Sequence, residues 1–152
     1  MTAIMPVSSC TTAVWTAAFF AGMEPVQVRA HSIYISRYAP GLEATVAWGV
    51  FDMKFRNTTP YAVLITARTT NTSMTVQFWG TRQYDKIKAV FGPRTQVTPY
   101  TTITDTGPSC LGQEGSDGFR IDVERRFVND RVVVRSDVFT TAFKPSPRVV
   151  CG

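Results

Sequence analysis

The chain has little of what metal and cofactor sites require. It contains one histidine in 152 residues, and none of its three cysteines forms a Cys-x-x-Cys pair. Metal sites in proteins are built from clustered His, Cys, Asp and Glu ligands, so no metal centre is expected. A glycine-rich loop that opens a helix after a strand is also missing, and with it the usual phosphate cradle of nucleotide-binding proteins. We therefore expect no cofactor.

Long apolar runs and long basic runs are missing as well. No stretch approaches the ~20 apolar residues that span a bilayer, so no transmembrane segment is expected in this chain. The net charge is +5 and the pI about 9.4, yet no Lys/Arg run reaches the roughly five to eight residues typical of nucleic-acid patches. We expect no nucleic-acid partner. The basic residues form either a scattered solvated surface or a contact with an anionic cell-wall polymer.

The cysteines are odd in number, which leaves one unpaired if the compartment is oxidising. Cys110 lies in a Gly-Pro-Ser-Cys-Leu-Gly loop and Cys151 lies one residue from the end of the given sequence. A bridge between them would hold a segment that otherwise frays. The alternative is that both are free thiols in a reducing cytosol.

The composition is that of a folded globular protein, with 44% hydrophobic and 18% charged residues. Residues 8–21 are predicted to be helical, with Ser8 or Ser9 as the N-cap and Gly22 just beyond the end. Apolar side chains nearly surround this helix, which predicts that it is buried. A signal peptide is not expected in the chain as given, because no basic residue precedes Arg29.

Patterns of period two predict the strands, which we place at residues 26–30, 31–37, 44–56, 61–69, 74–81 and 84–91. Residues 44–56 are apolar on both faces, which favours a central strand covered on each side. Residues 39–42 carry the Pro-Gly pair of a turn. Residues 93–117 are expected to be a loop with one short strand at 101–104, and residues 119–134 a hairpin turned at 128–131.

These elements predict the α+β class. We expect one buried N-terminal helix packed on a mostly antiparallel β-sheet of six to eight strands, with a C-terminal β-hairpin. One domain spans residues 1–152: helix and sheet at 8–92, loop at 93–117, and hairpin and tail at 118–152.

The segment 31–57 carries a family resemblance. Its residues include His31-Ser32, Tyr34, Tyr38, Gly41, Glu43-Ala44-Thr45-Val46, Asp52, Phe55 and Arg56-Asn57. Further matches are the helix end at 16–22, Trp-Gly-Thr at 79–81, Gly-Pro-Arg-Thr at 92–95 and Arg-Val-Val-Cys-Gly at 148–152. Over roughly residues 8–152 the chain resembles the VanW family, in particular its actinobacterial branch. The resemblance implies an extracytoplasmic cell-envelope protein associated with peptidoglycan and linked to glycopeptide (vancomycin) resistance, with no settled activity.

The resemblance also points to an altered start. Where the family has a glycine-rich turn, this chain has Met5-Pro6-Val7, and the family's upstream membrane anchor and wall-binding-like repeats have no counterpart. We expect a chain that is N-terminally truncated relative to the family.

One constellation is typical of nucleophilic catalysis. Cys10 at a helix start, His31 on the next strand and Asp52 on the following one have the order of a papain-like or transglutaminase-like triad. The family's Cys-or-Ser position falls on Ser8, so the nucleophile is either serine or displaced. The alternatives are a structural or ligand-binding imidazole at His31, and an Asp52 paired with Arg37, Arg56 or His31.

Three functions remain open on these grounds. The first is a non-catalytic module that binds or helps to process peptidoglycan. The second is a thiol or serine hydrolase or transferase acting on wall peptides. The third is a remnant of a longer gene with no separate activity.

Overall fold

The computed structural model describes residues 7–152, which contain one helix and ten strands. The helix is α1 (Val7–Phe20). The strands are β1 (Glu24–Gln27), β2 (Lys54–Arg56), β3 (Val63–Thr69), β4 (Met74–Gly80), β5 (Lys86–Phe91), β6 (Thr95–Thr98), β7 (Thr102–Asp105), β8 (Gly118–Asn129), β9 (Val132–Phe143) and β10 (Arg148–Cys151). The class is α+β with mostly antiparallel pairing, as expected. Within these residues no helix is long and apolar enough to span a membrane.

The strands form four separate sheets, and the expectation of one sheet with six to eight strands is wrong. In the largest sheet the long strand β8 is central, with β9 along one edge and with β5 and β6 along the other. Strands β1 and β2 pair antiparallel, as do β3 and β4, while β7 and β10 pair parallel.

Helix α1 begins at Val7, so Ser8 and Ser9 lie in its first turn and the prediction that one of them is the N-cap is wrong. Its end is as predicted. Gly22 has φ +77°, the Met23 N–H donates to Ala18 O at 3.0 Å, and the Gly22 N–H donates to Phe19 O at 3.2 Å. This pair of bonds is the Schellman motif, which needs a left-handed residue and therefore favours glycine.

The helix packs on the inner face of β8 and β9. Trp15 and Phe19 are almost fully buried against Val123 and Phe139, and the ring centroids of Trp15 and Phe139 lie 6.1 Å apart. Between these apolar groups lies Arg125 of β8, whose side chain is 0% exposed.

The guanidinium of Arg125 is fully engaged. It donates to the carbonyl oxygens of Phe19 at 3.3 Å and Met23 at 2.9 Å, and to Asp137 Oδ2 at 2.7 Å. A cation placed on the last carbonyls of a helix is favoured by the helix dipole. Asp137 also accepts hydrogen bonds from Arg135, so two arginines share one carboxylate. The core is therefore apolar around one compensated charge.

Two predicted strands are largely missing. Residues 31–37 contribute only an isolated bridge from Ile33 to Lys144, and residues 44–56 contribute only β2. Residues 47–51 instead form a tight turn, in which the Val50 N–H donates to Ala47 O at 3.0 Å and Gly49 has φ +69°. Trp48 is 102% exposed, so its apolar side chain belongs to a turn tip and not to a covered strand.

The other strands lie close to their predicted positions. Strands β3 and β4 correspond to 61–69 and 74–81, and β5 to 84–91. Between β8 and β9 the chain turns at Asp130 (φ +51°) and Arg131 (φ +66°), the two left-handed residues of a type I′ hairpin. The segment 93–117 contains β6, which was not predicted, and β7, close to the short strand expected at 101–104.

A disulfide joins the end of β10 to the loop that follows β7. Cys110 and Cys151 are bonded with their Cα atoms 5.8 Å apart, which confirms the predicted bridge. Cys10 is the free cysteine of the described residues.

Candidate functional site

The first turn of α1 contacts His31 through a tyrosine. Ser9 Oγ lies 2.9 Å from the Tyr38 hydroxyl and Ser8 Oγ lies 3.5 Å from it. The Tyr38 ring stacks on the His31 imidazole, with centroids 5.4 Å apart and planes 10° from parallel. The structure thus brings Ser8 and His31 into one cluster with two residues, Ser9 and Tyr38, that were not predicted as site residues.

Neither Cys10 nor Asp52 takes part in the contacts that form this cluster. Cys10 is half-buried on α1. The Asp52 side chain is 73% exposed and lies 3.3 Å from Lys54 Nζ, so its partner is none of Arg37, Arg56 and His31. Across residues 7–152, no hydrogen bond or ion pair joins either residue to His31. In this geometry the imidazole is oriented by the ring of Tyr38 and not by Asp52.

His31 also lines a cleft of about 580 Å³. It is lined by Trp15, by residues 28–32, by Gly41 and Glu43, and by residues 138–142 of β9. Among residues 7–152, two buried side-chain atoms lack a hydrogen-bond partner, His31 Nδ1 and Glu43 Oε1, and both residues line this cleft. Buried polar groups in folded proteins are nearly always paired, so two orphans in one cleft mark a candidate binding site.

Glu43 is held by the segment around it. Leu42 and Ala44 point into the core, at 5% and 0% exposure, and Glu43 itself is 3% exposed. Thr12 of α1 donates to Ala44 O at 3.0 Å and accepts from the Ala44 N–H at 3.1 Å. Thr16 donates to Leu42 O at 3.4 Å. The threonines of α1 therefore fix the backbone on both sides of the buried acid.

The Pro-Gly turn completes this arrangement. The Leu42 N–H donates to Ala39 O at 3.0 Å, and Gly41 has φ +81°, as in the predicted turn with glycine in its third position. The Gly41 N–H donates to Glu43 Oε2 at 3.0 Å. A Cβ at Gly41 would lie 2.8 Å from Val123 Cγ2, so the close approach to β8 requires glycine. One carboxylate oxygen of Glu43 is thereby used, and Oε1 remains available.

Burial shifts the two titratable groups of the cleft in opposite directions. It raises the pKa of Glu43, although hydrogen bonds from the N–H groups of Glu43 and Gly41 oppose the shift. It lowers the pKa of His31. Both shifts favour the neutral form, a carboxylic acid that donates and an imidazole with one free acceptor. A cleft with these groups is suited to hydrogen bonding with a polar ligand and to proton transfer.

The chain offers little to a metal in this region. Within residues 7–152 no group of three or more His, Cys, Asp and Glu side chains is placed to hold an ion. The disulfide involves the segments around β7 and β10, whose residues do not line the cleft.

Sequence reasoning missed Glu43 as a site residue, although a signal was present. Glu43 is an acid between Leu42 and Ala44, immediately after the Pro-Gly turn, and it lies inside the block that carries the VanW resemblance. An acidic side chain between two core residues either reaches solvent through a local change in the backbone or is buried with hydrogen-bond partners.

The fold and the cleft define an α+β protein in which a buried acid and an imidazole line the same cleft. The family model described as VanW like protein matches residues 6–79, from α1 to β4, which includes His31, Tyr38 and Glu43. The match covers 74 of the 152 residues and supports membership of the VanW family, a family linked to vancomycin resistance. No curated protein and no solved structure matches the chain.

Proposed function

We propose that this protein is a cell-envelope VanW-like protein that binds a component of peptidoglycan in the cleft between His31, Glu43 and β9. The observation that carries the proposal is the pair of buried, unpartnered atoms, His31 Nδ1 and Glu43 Oε1, in one cleft. Leaving a buried polar group unpaired costs about 1–3 kcal/mol. A ligand that bonds to both atoms recovers that free energy when it binds.

The dimensions and the charge support a small polar ligand. Ligand clefts generally have volumes of about 300–1,000 Å³, and this one has about 580 Å³. The net charge of +5 favours anionic partners, which include cell-wall polymers.

The test is co-sedimentation with insoluble peptidoglycan, followed by calorimetry with soluble muropeptides. Wild type is expected to bind, while His31→Ala and Glu43→Ala each weaken binding about tenfold, the equivalent of one lost hydrogen bond at about 1.4 kcal/mol. Asp52→Asn is the matched control, since Asp52 is exposed and paired with Lys54. Wild type that stays in the supernatant, or equal binding by all four proteins, contradicts the proposal.

A second candidate function is a serine or thiol hydrolase or transferase acting on wall peptides. It is favoured by the first turn of α1, which carries Ser8, Ser9 and Cys10 and contacts the His31 stack through Tyr38. A helix N-terminus stabilises a developing anion. In this candidate Ser8 or Cys10 is the nucleophile, His31 is the base, and Asp52 acts only after a movement that frees it from Lys54.

Chromatography of muropeptides incubated with the protein distinguishes the enzyme candidate from the non-catalytic binding function. The enzyme candidate predicts turnover that falls by at least a hundredfold in His31→Ala, and iodoacetamide labelling of Cys10 that inactivates the protein. Binding without turnover, unaffected by the label, supports the non-catalytic function instead.

A further inference from the structure

The free edge of β9 forms one side of the cleft. On its other edge β9 pairs with β8 along its length. Among residues 7–152, the backbone partner recorded beyond the free edge is Ser32, whose carbonyl accepts from the N–H of Lys144 at 2.7 Å, just past the end of β9. Every second residue of an edge strand directs its N–H and C=O away from its partner.

That single bond marks the end of the cleft. Ile33 and Lys144 form a parallel bridge, so residues 28–32 and residues 138–142 run in the same direction from this point. Both segments line the cleft, and no backbone hydrogen bond joins them along its length within the described part of the chain. The edge of β9 at 138–142 therefore faces the cleft with unpaired main-chain groups.

Arg29 is the basic residue among those that line the same cleft. Its guanidinium lies 4.6 Å from the centroid of the Phe51 ring, a contact that restrains it without neutralising it. None of the ion pairs within residues 7–152 includes Arg29. A restrained guanidinium without a carboxylate is a ready partner for a carboxylate on a ligand.

We propose that the ligand of this cleft is a short extended peptide with a free carboxylate, which adds as a strand to residues 138–142 of β9 and pairs its carboxylate with Arg29. This inference rests on the proposed function and specifies its ligand: the peptide part of peptidoglycan and not the glycan. Main-chain hydrogen bonds to β9 provide affinity, and the side-chain contacts with His31 and Glu43 provide selectivity.

The first test measures the binding of synthetic wall peptides by calorimetry. The free-acid peptide is expected to bind at least tenfold more tightly than its C-terminal amide, because the amide lacks the charge for Arg29. Arg29→Gln abolishes this preference. Arg68→Gln, which removes the same charge from β3 outside the cleft, preserves it.

The second test uses peptides N-methylated at one position at a time, which leaves the protein unchanged. Strand addition uses the N–H of every second ligand residue. Methylation is therefore expected to weaken binding at least tenfold at alternate positions and to have little effect at the positions between them. Equal effects at all positions, or a preference for the amide, overturn strand addition.

The remaining outcomes separate this inference from the proposed function. If peptidoglycan and peptide-free glycan bind while peptides do not, strand addition is wrong and wall binding stands. If neither peptidoglycan nor peptides bind, both fail. If the chain sediments as a dimer that peptides do not dissociate, the edge of β9 pairs with a second copy, and the peptide inference is overturned.

Discussion

The imidazole of His31 and the ring of Tyr38 are stacked, with their centroids 5.4 Å apart and their planes within 10°. Tyr38 contacts both the imidazole and the first turn of α1, and His31 also lines the cleft. Tyr38 is therefore a positioning residue: its ring orients His31, and its hydroxyl is fixed by Ser9.

The two parts of Tyr38 make different contributions. Tyr38→Phe keeps the stack and loses the bond to Ser9, so the free energy of unfolding is expected to fall by about 1 kcal/mol with ligand binding unchanged. Tyr38→Ala also loses the aromatic contact, worth about 0.5–1.5 kcal/mol, and is expected to weaken ligand binding several-fold. Urea denaturation and calorimetry measure the two effects. Binding that weakens equally in both variants contradicts the role of the ring.

The buried acid predicts an unusual dependence of stability on pH. Because the pKa of Glu43 is raised in the folded state, the folded protein binds more protons than the unfolded chain at pH values just above the ordinary 4.5. Its contribution to stability is then present at low pH and is lost as the pH rises through the raised value. Glu43→Gln should gain stability relative to wild type between pH 4 and pH 7. The exposed Glu114→Gln is the control, and a parallel gain there contradicts the assignment.

The pKa of His31 is shifted in the opposite direction to that of Glu43. Its pKa is lowered in the folded state, so below the ordinary value of 6.5 the unfolded chain binds more protons than the folded one. Stability is expected to fall as the pH falls from 6.5 toward the lowered pKa, and His31→Gln should remove this part of the pH profile. Urea denaturation at half-unit steps of pH measures it. An identical profile for the variant contradicts the burial of His31.

Arg125 and Arg135 both pair with Asp137, but we expect their substitution to lower the free energy of unfolding by very different amounts. Arg125→Met removes the side-chain donor to Met23 O and one of two donors to Phe19 O, and it takes the buried partner from Asp137. We expect a loss of about 3–5 kcal/mol, as when one partner of a buried ion pair is removed. Arg135 is half-exposed, so Arg135→Met should cost at most about 1 kcal/mol. Urea denaturation of the two variants is the measurement. Equal losses are the result that contradicts this account.

The disulfide predicts sensitivity to reductant. Cys110 and Cys151 are separated by 41 residues, so the closed loop includes the hairpin of β8 and β9. In the chain-entropy model its loss costs about 4 kcal/mol. Cys151→Ser is expected to lower the free energy of unfolding by this amount and to abolish the effect of dithiothreitol. Cys10→Ser should retain the full effect of dithiothreitol, since Cys10 is free, and a loss of sensitivity there contradicts the pairing.

The sequence predicted those elements whose pattern has one structural solution. The apolar helix followed by Gly22, the alternating pair β3 and β4, and the Asn-Asp turn before β9 were placed within a few residues. The disulfide followed from the positions of two cysteines in loop-like segments. These are local signals, and the tertiary structure agrees with them.

The segment 44–56 shows why the rest could not be predicted. A run that is apolar on both faces is compatible with a covered strand and equally with an apolar turn, and Trp48 proves to be fully exposed. Whether this segment is a strand or a turn also decides which acidic side chain is buried. In the structure residues 47–51 form a turn, and Asp52 is exposed and paired with Lys54. The buried acid of this region is Glu43.

The capping of α1 by Arg125 has a consequence for how the molecule is divided. The VanW match ends at residue 79, but Val123 and Phe139, which cover α1, and Arg125, which donates to the carbonyls of Phe19 and Met23, all lie beyond it. A fragment expressed up to residue 79 would carry the family signature but would leave Phe19 without its packing against Val123 and Phe139. In this chain the residues that match the family model do not include the residues of β8 and β9 that bury α1.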